Sequence, residues 1–157
     1  INCQMTVDSK ERDTLWQARH GAYWASASLC RGCKLYVTDV CVPISRLSEC
    51  VVETDDDFKS SHLKGPLVGH VGDGNFHLMI PIDPKNPKDL PEAQRLNERL
   101  VKRAISMEGT STGEHGVGLG KIPWVLLERG DIAVELMRNI KKSFDTKGIM
   151  NPGKIFE

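Results

Sequence analysis

The feature that most constrains the fold of this chain is a predicted β-hairpin whose turn lies at Asp73-Gly74. An Asp-Gly step is typical of a two-residue type I′ turn, because both central residues take positive φ and glycine does so without a steric penalty. A turn centred there places His70 opposite His77, with their Cβ atoms about 4.5–5.5 Å apart. The hairpin therefore predicts two imidazoles side by side on one face of a sheet.

The residue pattern along the second strand predicts which face of the hairpin belongs to the core. The apolar residues of the strand fall on one side, namely Phe76, Leu78, Ile80 and Ile82. The other side carries Asn75, His77 and Met79. A register shifted by one residue would bury the histidines and expose the apolar residues, so the pattern selects this choice of faces. Two neutral imidazoles on the free face suit a divalent metal, and a hydrogen-bonded histidine pair without a metal stays open as an alternative.

Helical periodicity and β-branched runs predict the elements around the hairpin. We expect strands over 34–42, 66–71 and 75–82, and helices over about 8–28, after Ser45, over about 89–107 and on either side of Gly130. The helix residues expected to face inward are Leu15, Ala18, Ala22, Ala25, Leu47, Cys50, Val51, Ala93, Leu96, Leu100, Ala104, Met107, Val134, Met137, Ile140 and Phe144. The acidic run 55–57 is expected to be a solvated loop. This order predicts an α+β fold, with a mainly antiparallel sheet, helices packed on one of its faces and further helices at the C-terminus.

A glycine-rich segment between Gly109 and Gly120 contains Glu114 and His115. Together with the hairpin histidines, Glu114 makes a set of two histidines and one carboxylate, which is typical of a catalytic metal site with open coordination positions. His115 would then remain available as a base. The glycine spacing matches neither a phosphate-binding loop nor a dinucleotide-binding fingerprint. A purely structural glycine loop stays open as an alternative.

Composition excludes several classes of protein. The chain has 21 Lys and Arg against 21 Asp and Glu, so no excess charge directs it to nucleic acid or to an anionic membrane. No apolar run approaches the roughly 18 residues of a membrane-spanning helix, so no membrane span is expected. A length of 157 residues favours a single domain. Because the chain begins at Ile1, we expect a processed or shortened polypeptide.

The cysteines predict a reducing compartment. There are five of them, all in the first third of the chain, and an odd number is a poor disulfide framework. Cys30 and Cys33 form an isolated CxxC motif without the second pair that a zinc finger requires. We expect all five to be ordinary thiols.

Four segments carry a resemblance to a known family: 39–47 (DVCVPISRL), 69–77 (GHVGDGNFH), 113–118 (GEHGVG) and 151–154 (NPGK). In their order and spacing they resemble the C-terminal part of the FAD-linked oxidases of the vanillyl-alcohol-oxidase superfamily, most closely the mitochondrial D-lactate dehydrogenases. The resemblance covers nearly the whole chain from about Leu15. It implies a ferredoxin-like substrate or cap domain, incomplete at its N-terminus. Residues 1–157 would then form a single C-terminal, substrate-side portion without the N-terminal FAD-binding domain.

The resemblance also implies roles for individual residues. His70, His77 and Glu114 would hold a divalent metal, either zinc or manganese. His115 would be the catalytic base, and Arg19 would bind the substrate carboxylate. The residues that resemble flavin-lining positions are Asn75, Asn151 and Lys154.

The implied activity is the FAD-dependent oxidation of D-lactate to pyruvate by the full-length enzyme, with hydride transfer to FAD, while the isolated piece would be inactive. Oxidation of D-2-hydroxyglutarate or glycolate by the same family stays open, and so does a non-catalytic metal-binding fragment without flavin. Relatives that act on 2-hydroxyglutarate carry polar residues where Tyr23 and Met79 stand, which favours a shorter or apolar substrate tail. The implied partners are a 2-hydroxy acid and an electron acceptor such as cytochrome c or an electron-transfer flavoprotein. The implied location is the mitochondrion.

Overall fold

The computed structural model describes residues 4–156, which form five helices and four strands. In chain order these are α1 (Ser9–His20), α2 (Ala22–Ser28), β1 (Lys34–Val37), β2 (Val40–Cys41), α3 (Ile44–Lys59), β3 (Leu67–His70), β4 (Asn75–Ile82), α4 (Asp89–Ser106) and α5 (Ile122–Phe144). The strands make one open antiparallel sheet, so the predicted α+β class is confirmed.

The sheet is organised around β4, its longest strand. Strands β1 and β2 run along one edge of β4 in a single register, in which Val37 pairs with Met79 and Val40 pairs with Phe76. Strand β3 pairs with the other edge of β4. Between β1 and β2 the ladder is interrupted at Thr38, whose side-chain oxygen accepts from the Leu78 amide at 2.8 Å. The interruption places the next residue of the chain, Asp39, beside His77.

The hydrophobic core lies between one face of β4 and the helices α3 and α4. Phe76, Leu78 and Ile80 are at most 2% exposed, as the alternation along the strand predicts. The predicted stripe of α4 is confirmed, because all its members are buried: Ala93, Leu96, Leu100, Ala104 and the capping Met107. In α3, Leu47 and Cys50 are buried and Val51 is partly buried. The prediction places the helices on one face of the sheet, but α2 lies on the other face. Its Ser26 contacts Met79, which points away from the core side of β4.

The prediction of one helix over 8–28 is wrong in two respects. The helical segment divides at Gly21, which ends α1 and begins α2. None of the residues of α1 is buried, and Leu15 is 39% exposed. The spacing of Leu15 and the alanines is helical, but small alanine side chains do not by themselves require a covering partner. Helix α1 therefore lies on the surface and contacts mainly α2.

The acidic run 55–57 lies inside α3 and is not the predicted loop. Asp57 is buried, and its carboxylate pairs with Arg99 at 2.7 Å and Arg103 at 3.4 Å, both on α4. Asp55 pairs with Lys59 one turn later on the exposed side. Arginines of α4 and a lysine of α3 itself therefore neutralise the acidic run and stabilise α3. The charge run alone does not indicate a helix.

The C-terminal helix α5 has the predicted break at Gly130, where φ is 75° and ψ is 166°. Val134 is buried and Met137 is partly buried, as predicted. Ile140 and Phe144 are 50% and 85% exposed, so the prediction that they face inward is wrong. Within residues 4–156, no element covers that end of α5.

The prediction of ordinary thiols fails for one pair of cysteines. A tight turn in which the Cys33 amide donates to Cys30 O brings the two residues together, and their Sγ atoms form a disulfide. Cys41 and Cys50 are free thiols, whereas Cys3 lies outside the described residues. None of the described helices combines the length and the apolar character needed to cross a bilayer.

Candidate metal and active site

The hairpin brings the two histidines together, but in a different register from the predicted one. His70 pairs with Asn75 and Val68 pairs with His77, so His70 is diagonal to His77 and not opposite it. The turn spans residues 71–74, and among these only Gly74 has positive φ, which excludes type I′. Because the register differs by two residues, both side chains stay on the predicted face. Their ring centroids are 5.8 Å apart.

A contact with the neighbouring strand explains the wider turn. Gly74 O accepts from the Val42 amide at 3.0 Å, just beyond β2. A Cβ at position 74 would collide with the Val42 carbonyl, so glycine is needed for the close approach as well as for the positive φ. The turn is therefore held by a segment more than thirty residues earlier in the chain, which the Asp-Gly signal does not include.

His77 is the most enclosed of the three predicted metal ligands, with its residue only 3% exposed. Its Nδ1 lies 2.9 Å from Thr38 O, and a carbonyl can only accept, so Nδ1 carries a proton. The lone pair of Nε2 is therefore directed away from the strand. Nε2 lies 3.0 Å from Glu114 Oε1.

His70 is more open, with 33% of its side chain exposed. Its Nε2 lies 3.4 Å from Glu114 Oε1 and 2.7 Å from Nη2 of Arg19. A guanidinium only donates, so Nε2 of His70 is an acceptor in this contact. The last turn of α1 thus brings the predicted carboxylate-binding arginine to the same place as the predicted metal ligands.

The structure brings the three predicted metal ligands together from separate segments of the chain. One ligand atom from each of His70, His77 and Glu114 lies within 4.8 Å of the others. The two histidines come from β3 and β4, and Glu114 comes from the glycine loop. His115 follows it, 52% exposed at its side chain, and its ring stacks on that of His77 with centroids 5.1 Å apart. These four side chains form what we call the histidine cluster.

Asp39 is a site residue that the sequence reasoning missed. It is 2% exposed and accepts hydrogen bonds from Asn75 Nδ2 at 2.9 Å and from the amide of His115 at 3.1 Å. Burial raises the pKa of this carboxyl, but those hydrogen bonds and the charge of Lys121 outweigh it and hold the pKa well below its usual range. The available signal was an acidic residue inside the β-branched run 34–42.

Lys121 is the second residue that was missed. Its Nζ lies 2.6 Å from Asp39 O and 3.1 Å from Asp39 Oδ2. Burial lowers the pKa of the Lys121 ammonium, and the Asp39 charge opposes that shift. The Asp39–Lys121 pair therefore lies beneath the glycine loop as a buried ion pair.

The three predicted flavin-lining residues do not share one cavity. Asn75 is 5% exposed, and its Oδ1 has no hydrogen-bond donor among residues 4–156. Asn151 and Lys154 line a shallow depression with Phe144, whose lining does not include Asn75. The tail is nevertheless tied to the glycine loop, because the Ile155 amide donates to Gly118 O at 2.9 Å.

Comparison with known proteins places the chain in a family. The model of the FAD linked oxidases, C-terminal domain, matches residues 1–155. The chain belongs to this family. The predicted resemblance to FAD-linked oxidases is thereby confirmed.

Several relatives of this FAD-linked oxidase domain are similar over nearly its whole length. A "Probable D-lactate dehydrogenase, mitochondrial" of Danio rerio is 49% identical over 150 residues, covering 96% of this chain and 30% of the relative. "D-lactate dehydrogenase [cytochrome] 1, mitochondrial" of Saccharomyces cerevisiae is 44% identical over 98% of this chain and 27% of its own length. "Glycolate oxidase subunit GlcD" of Bacillus subtilis is 31% identical over 99% of this chain and 33% of its own length. The chain spans about a third or less of each of these proteins.

Proposed function

We propose that this chain forms the substrate- and metal-binding portion of an FAD-dependent D-2-hydroxyacid dehydrogenase that oxidises D-lactate to pyruvate. The observation that carries the proposal is the convergence of His70, His77 and Glu114 within 4.8 Å, with His115 and Arg19 at the same place. Relatives named as D-lactate dehydrogenases at 49% and 44% identity support the choice of substrate.

The donor set fits a divalent cation. His77 Nε2 offers a lone pair and Glu114 Oε1 is an acceptor, yet the two atoms lie 3.0 Å apart. Two acceptors at that distance require a proton or a cation between them. Two imidazoles and one carboxylate are ligands for zinc or manganese, and a set of three leaves coordination positions free for substrate. The Nδ1 contact with Thr38 O fixes the orientation of the His77 ring, as the outer partner of a ligating histidine commonly does.

The chemistry divides between the bound groups and the side chains of this chain. When bound, the metal would lower the pKa of the substrate hydroxyl as a Lewis acid, and FAD would accept the hydride from Cα. His115 would take the hydroxyl proton at Nε2, the ring nitrogen that lies 3.8 Å from Glu114 Oε1. Loss of that proton and of the Cα hydride converts the 2-hydroxy acid into the 2-oxo acid.

Arg19 would bind the substrate carboxylate. Its Nη2 lies 2.7 Å from His70 Nε2, so the guanidinium is at the edge of the histidine cluster, and it would leave this contact for the substrate when the single lone pair of His70 Nε2 binds the metal. A guanidinium can give two parallel hydrogen bonds to a carboxylate, which would fix the direction of the Cα hydrogen. We also propose, from the family resemblance, that Asn75, Asn151 and Lys154 lie beside the flavin.

Substrate choice within the family is the finer part of the proposal. Met79 lies two residues after His77 on the same face of β4, is 6% exposed, and contacts Ser26 through its sulfur at 3.2 Å. Tyr23 is 44% exposed on α2. An apolar residue beside the site favours the methyl group of lactate over a distal carboxylate. The relatives named as glycolate oxidase subunits favour glycolate as the second candidate.

The electron acceptor and the location follow from the names of the relatives. The yeast protein and a plant protein of 42% identity are named as cytochrome-type mitochondrial D-lactate dehydrogenases. We propose by the same route a mitochondrial location and a cytochrome as the acceptor, while the family resemblance supports cytochrome c or an electron-transfer flavoprotein as the specific choice.

The test is an anaerobic titration of the full-length protein with D-lactate, combined with elemental analysis. We expect a stoichiometric divalent metal and loss of the oxidised flavin absorbance as D-lactate is added. The same titration with glycolate and D-2-hydroxyglutarate, followed by comparison of kcat/KM, separates the candidate substrates. A protein that contains metal and flavin but is reduced by none of the three acids would exclude the proposed activity.

A further inference from the structure

The carboxylate of Asp39 is directed at the backbone of the glycine loop. It accepts from three successive amides, those of Gly113 at 2.9 Å, Glu114 at 3.2 Å and His115 at 3.1 Å. The hydroxyl of Thr112 adds a contact of 3.0 Å. Successive amides that converge on one anion fix the backbone conformation of a segment. Two of the three amides belong to Glu114, the proposed metal ligand, and to His115, the proposed base.

Other partners hold the start of the glycine loop. The Thr110 amide donates to Cys41 O at 2.7 Å, and the Ser111 amide donates to Glu128 at 2.8 Å. Gly116 and Gly118 follow with positive φ. Because glycine adopts positive and negative φ about equally well, this part of the chain has many alternative conformations. Among the described residues, the amides of 113–115 donate to Asp39 alone. Asp39 is thus the acceptor that holds the backbone of the central loop, while the side chains of Glu114 and His115 contact His77.

Asp39 also connects the loop to the strand that carries His77. Its Oδ1 lies 3.7 Å from His77 Nδ1, because the shared register of β1 and β2 places residue 39 beside residue 77. The same oxygen accepts from the side chain of Asn75. One buried group therefore contacts both segments whose side chains meet in the histidine cluster.

We propose that Asp39 is a positioning residue that holds Glu114 and His115 beside His77 and so preorganises the metal-binding set. This inference rests on the proposed function of the histidine cluster. Asp39 acts through the loop backbone and is not itself assigned to the metal or to the substrate. Groups that orient metal ligands in this way typically change metal affinity by about 10- to 100-fold when they are removed.

The test needs two variants because Asp39 also neutralises Lys121. Asp39→Asn keeps the size of the side chain but weakens the acceptor and leaves the Lys121 ammonium buried without its partner, which destabilises a protein for a separate reason. The double variant Asp39→Asn with Lys121→Met removes both charges. Asp57→Asn is the matched control, because Asp57 is also a buried, ion-paired carboxylate but joins α3 to α4.

Two measurements on the full-length protein are required. Binding of Mn²⁺ alone is followed by the electron paramagnetic resonance signal of the free ion, and backbone hydrogen exchange compares residues 110–118 with α4. We expect both Asp39 variants to exchange faster in the loop and to bind Mn²⁺ more weakly, by about 10- to 100-fold. Asp57→Asn is expected to lose stability with loop exchange and Mn²⁺ affinity unchanged.

The outcomes separate this inference from the proposed function. A folded double variant with wild-type Mn²⁺ affinity and wild-type loop exchange overturns the positioning role while leaving the metal site in place. If the unmodified protein contains no divalent metal by elemental analysis and binds no added Mn²⁺, the proposed metal site fails, and loop exchange in the variants alone decides the role of Asp39. If both variants unfold, hydrogen exchange of the unmodified protein is the test. Rapid exchange of the amides of 113–115 would contradict their hydrogen bonds to Asp39 and overturn the positioning role.

Discussion

At the scale of single residues, the backbone of His115 is hydrogen-bonded to Asp39, while its side chain makes no hydrogen bond among the described residues. Its amide donates to Asp39, while its imidazole is about half exposed and stacks on His77. A side chain in this position can be removed without breaking the contact that fixes the loop. The role of His115 as a base can therefore be tested without disturbing the metal ligands.

We predict that His115→Ala lowers kcat for D-lactate by at least about 10²-fold, the usual contribution of a positioned general base. Bound metal and flavin are expected to stay at wild-type levels, as measured by elemental analysis and absorbance. His62→Ala is the control, because His62 is also half exposed but pairs with Asp89 at 3.0 Å outside the cluster. Wild-type turnover by the His115 variant would exclude it as the base.

The sequence predicts which residues belong to this site better than it predicts which residues contact one another there. Alternation along β4 correctly assigns Phe76 to the core and His77 to the other face, because that inference needs only the two-residue period of a strand. The partner of His70 was predicted wrongly because the turn is held by Val42, which is distant in sequence. Asp39 was missed for the same reason, since the amides that it accepts from lie more than seventy residues later.

At the scale of elements, the glycine loop depends on close backbone approach at Gly109 and at Gly113, of which Gly113 is the one beside Asp39. A Cβ on Gly113 would overlap the side-chain amide of Asn75 and lie 2.8 Å from Asp39 Oδ1. A Cβ on Gly120 would meet no atom within 4 Å. A methyl group would therefore displace the loop at Gly113 but find open space at Gly120.

Gly113→Ala is predicted to push the loop away from Asp39 and to weaken Mn²⁺ binding by about tenfold or more, since the loop carries Glu114. Gly120→Ala is expected to bind Mn²⁺ like the wild type. Calorimetric titration of both variants with Mn²⁺ measures the difference. Equal affinities would show that the approach of Gly113 to Asn75 and Asp39 does not position Glu114.

Helix α4 was predicted best of the helices because its apolar stripe is long and regular. Leu100 is fully buried in that stripe, whereas Leu90 in the first turn is 46% exposed. We predict that Leu100→Ala lowers the free energy of unfolding by about 2–5 kcal/mol through lost burial and the cavity left behind. Leu90→Ala should change it by less than about 0.5 kcal/mol. Denaturant unfolding of both variants checks the core assignment, and similar losses would contradict it.

Apolar residues of the C-terminal helix α5 differ in burial although they follow the same periodic pattern. Val134 and Phe144 both belong to the apolar pattern of α5, yet one is 2% exposed and the other 85%. Periodicity identifies an apolar side of a helix but not whether a neighbour covers it. Tertiary contacts decide that point, as they also decide that Asp57 belongs inside α3.

At the scale of the whole molecule, the chain has equal numbers of acidic and basic residues, but the fold changes the pKa of several carboxylates in the same direction. Several accept strong hydrogen bonds or pair with cations, and the fold lowers the pKa of each: Asp39, Glu49, Asp89, Glu92, Glu128 and Asp145. Each of these groups binds a proton more readily in the unfolded chain than in the fold. The free energy of unfolding is therefore expected to be high near neutral pH and to fall in acid.

Glu92 allows this acid dependence to be assigned to one residue. Hydrogen bonds from Arg95 and Ser61 lower its pKa from 4.5 to about 2, so its contribution is full above about pH 5 and is lost as the pH falls toward about 2. We predict that Glu92→Gln is less stable than the wild type at neutral pH and loses less stability between those limits. Glu98→Gln is the control, since Glu98 lies on the same helix, is about half exposed, and within residues 4–156 pairs with Lys102 alone. Denaturant unfolding at a series of pH values measures the slopes. A Glu92→Gln slope equal to that of the wild type would show that the Glu92–Arg95–Ser61 contacts do not contribute to acid unfolding.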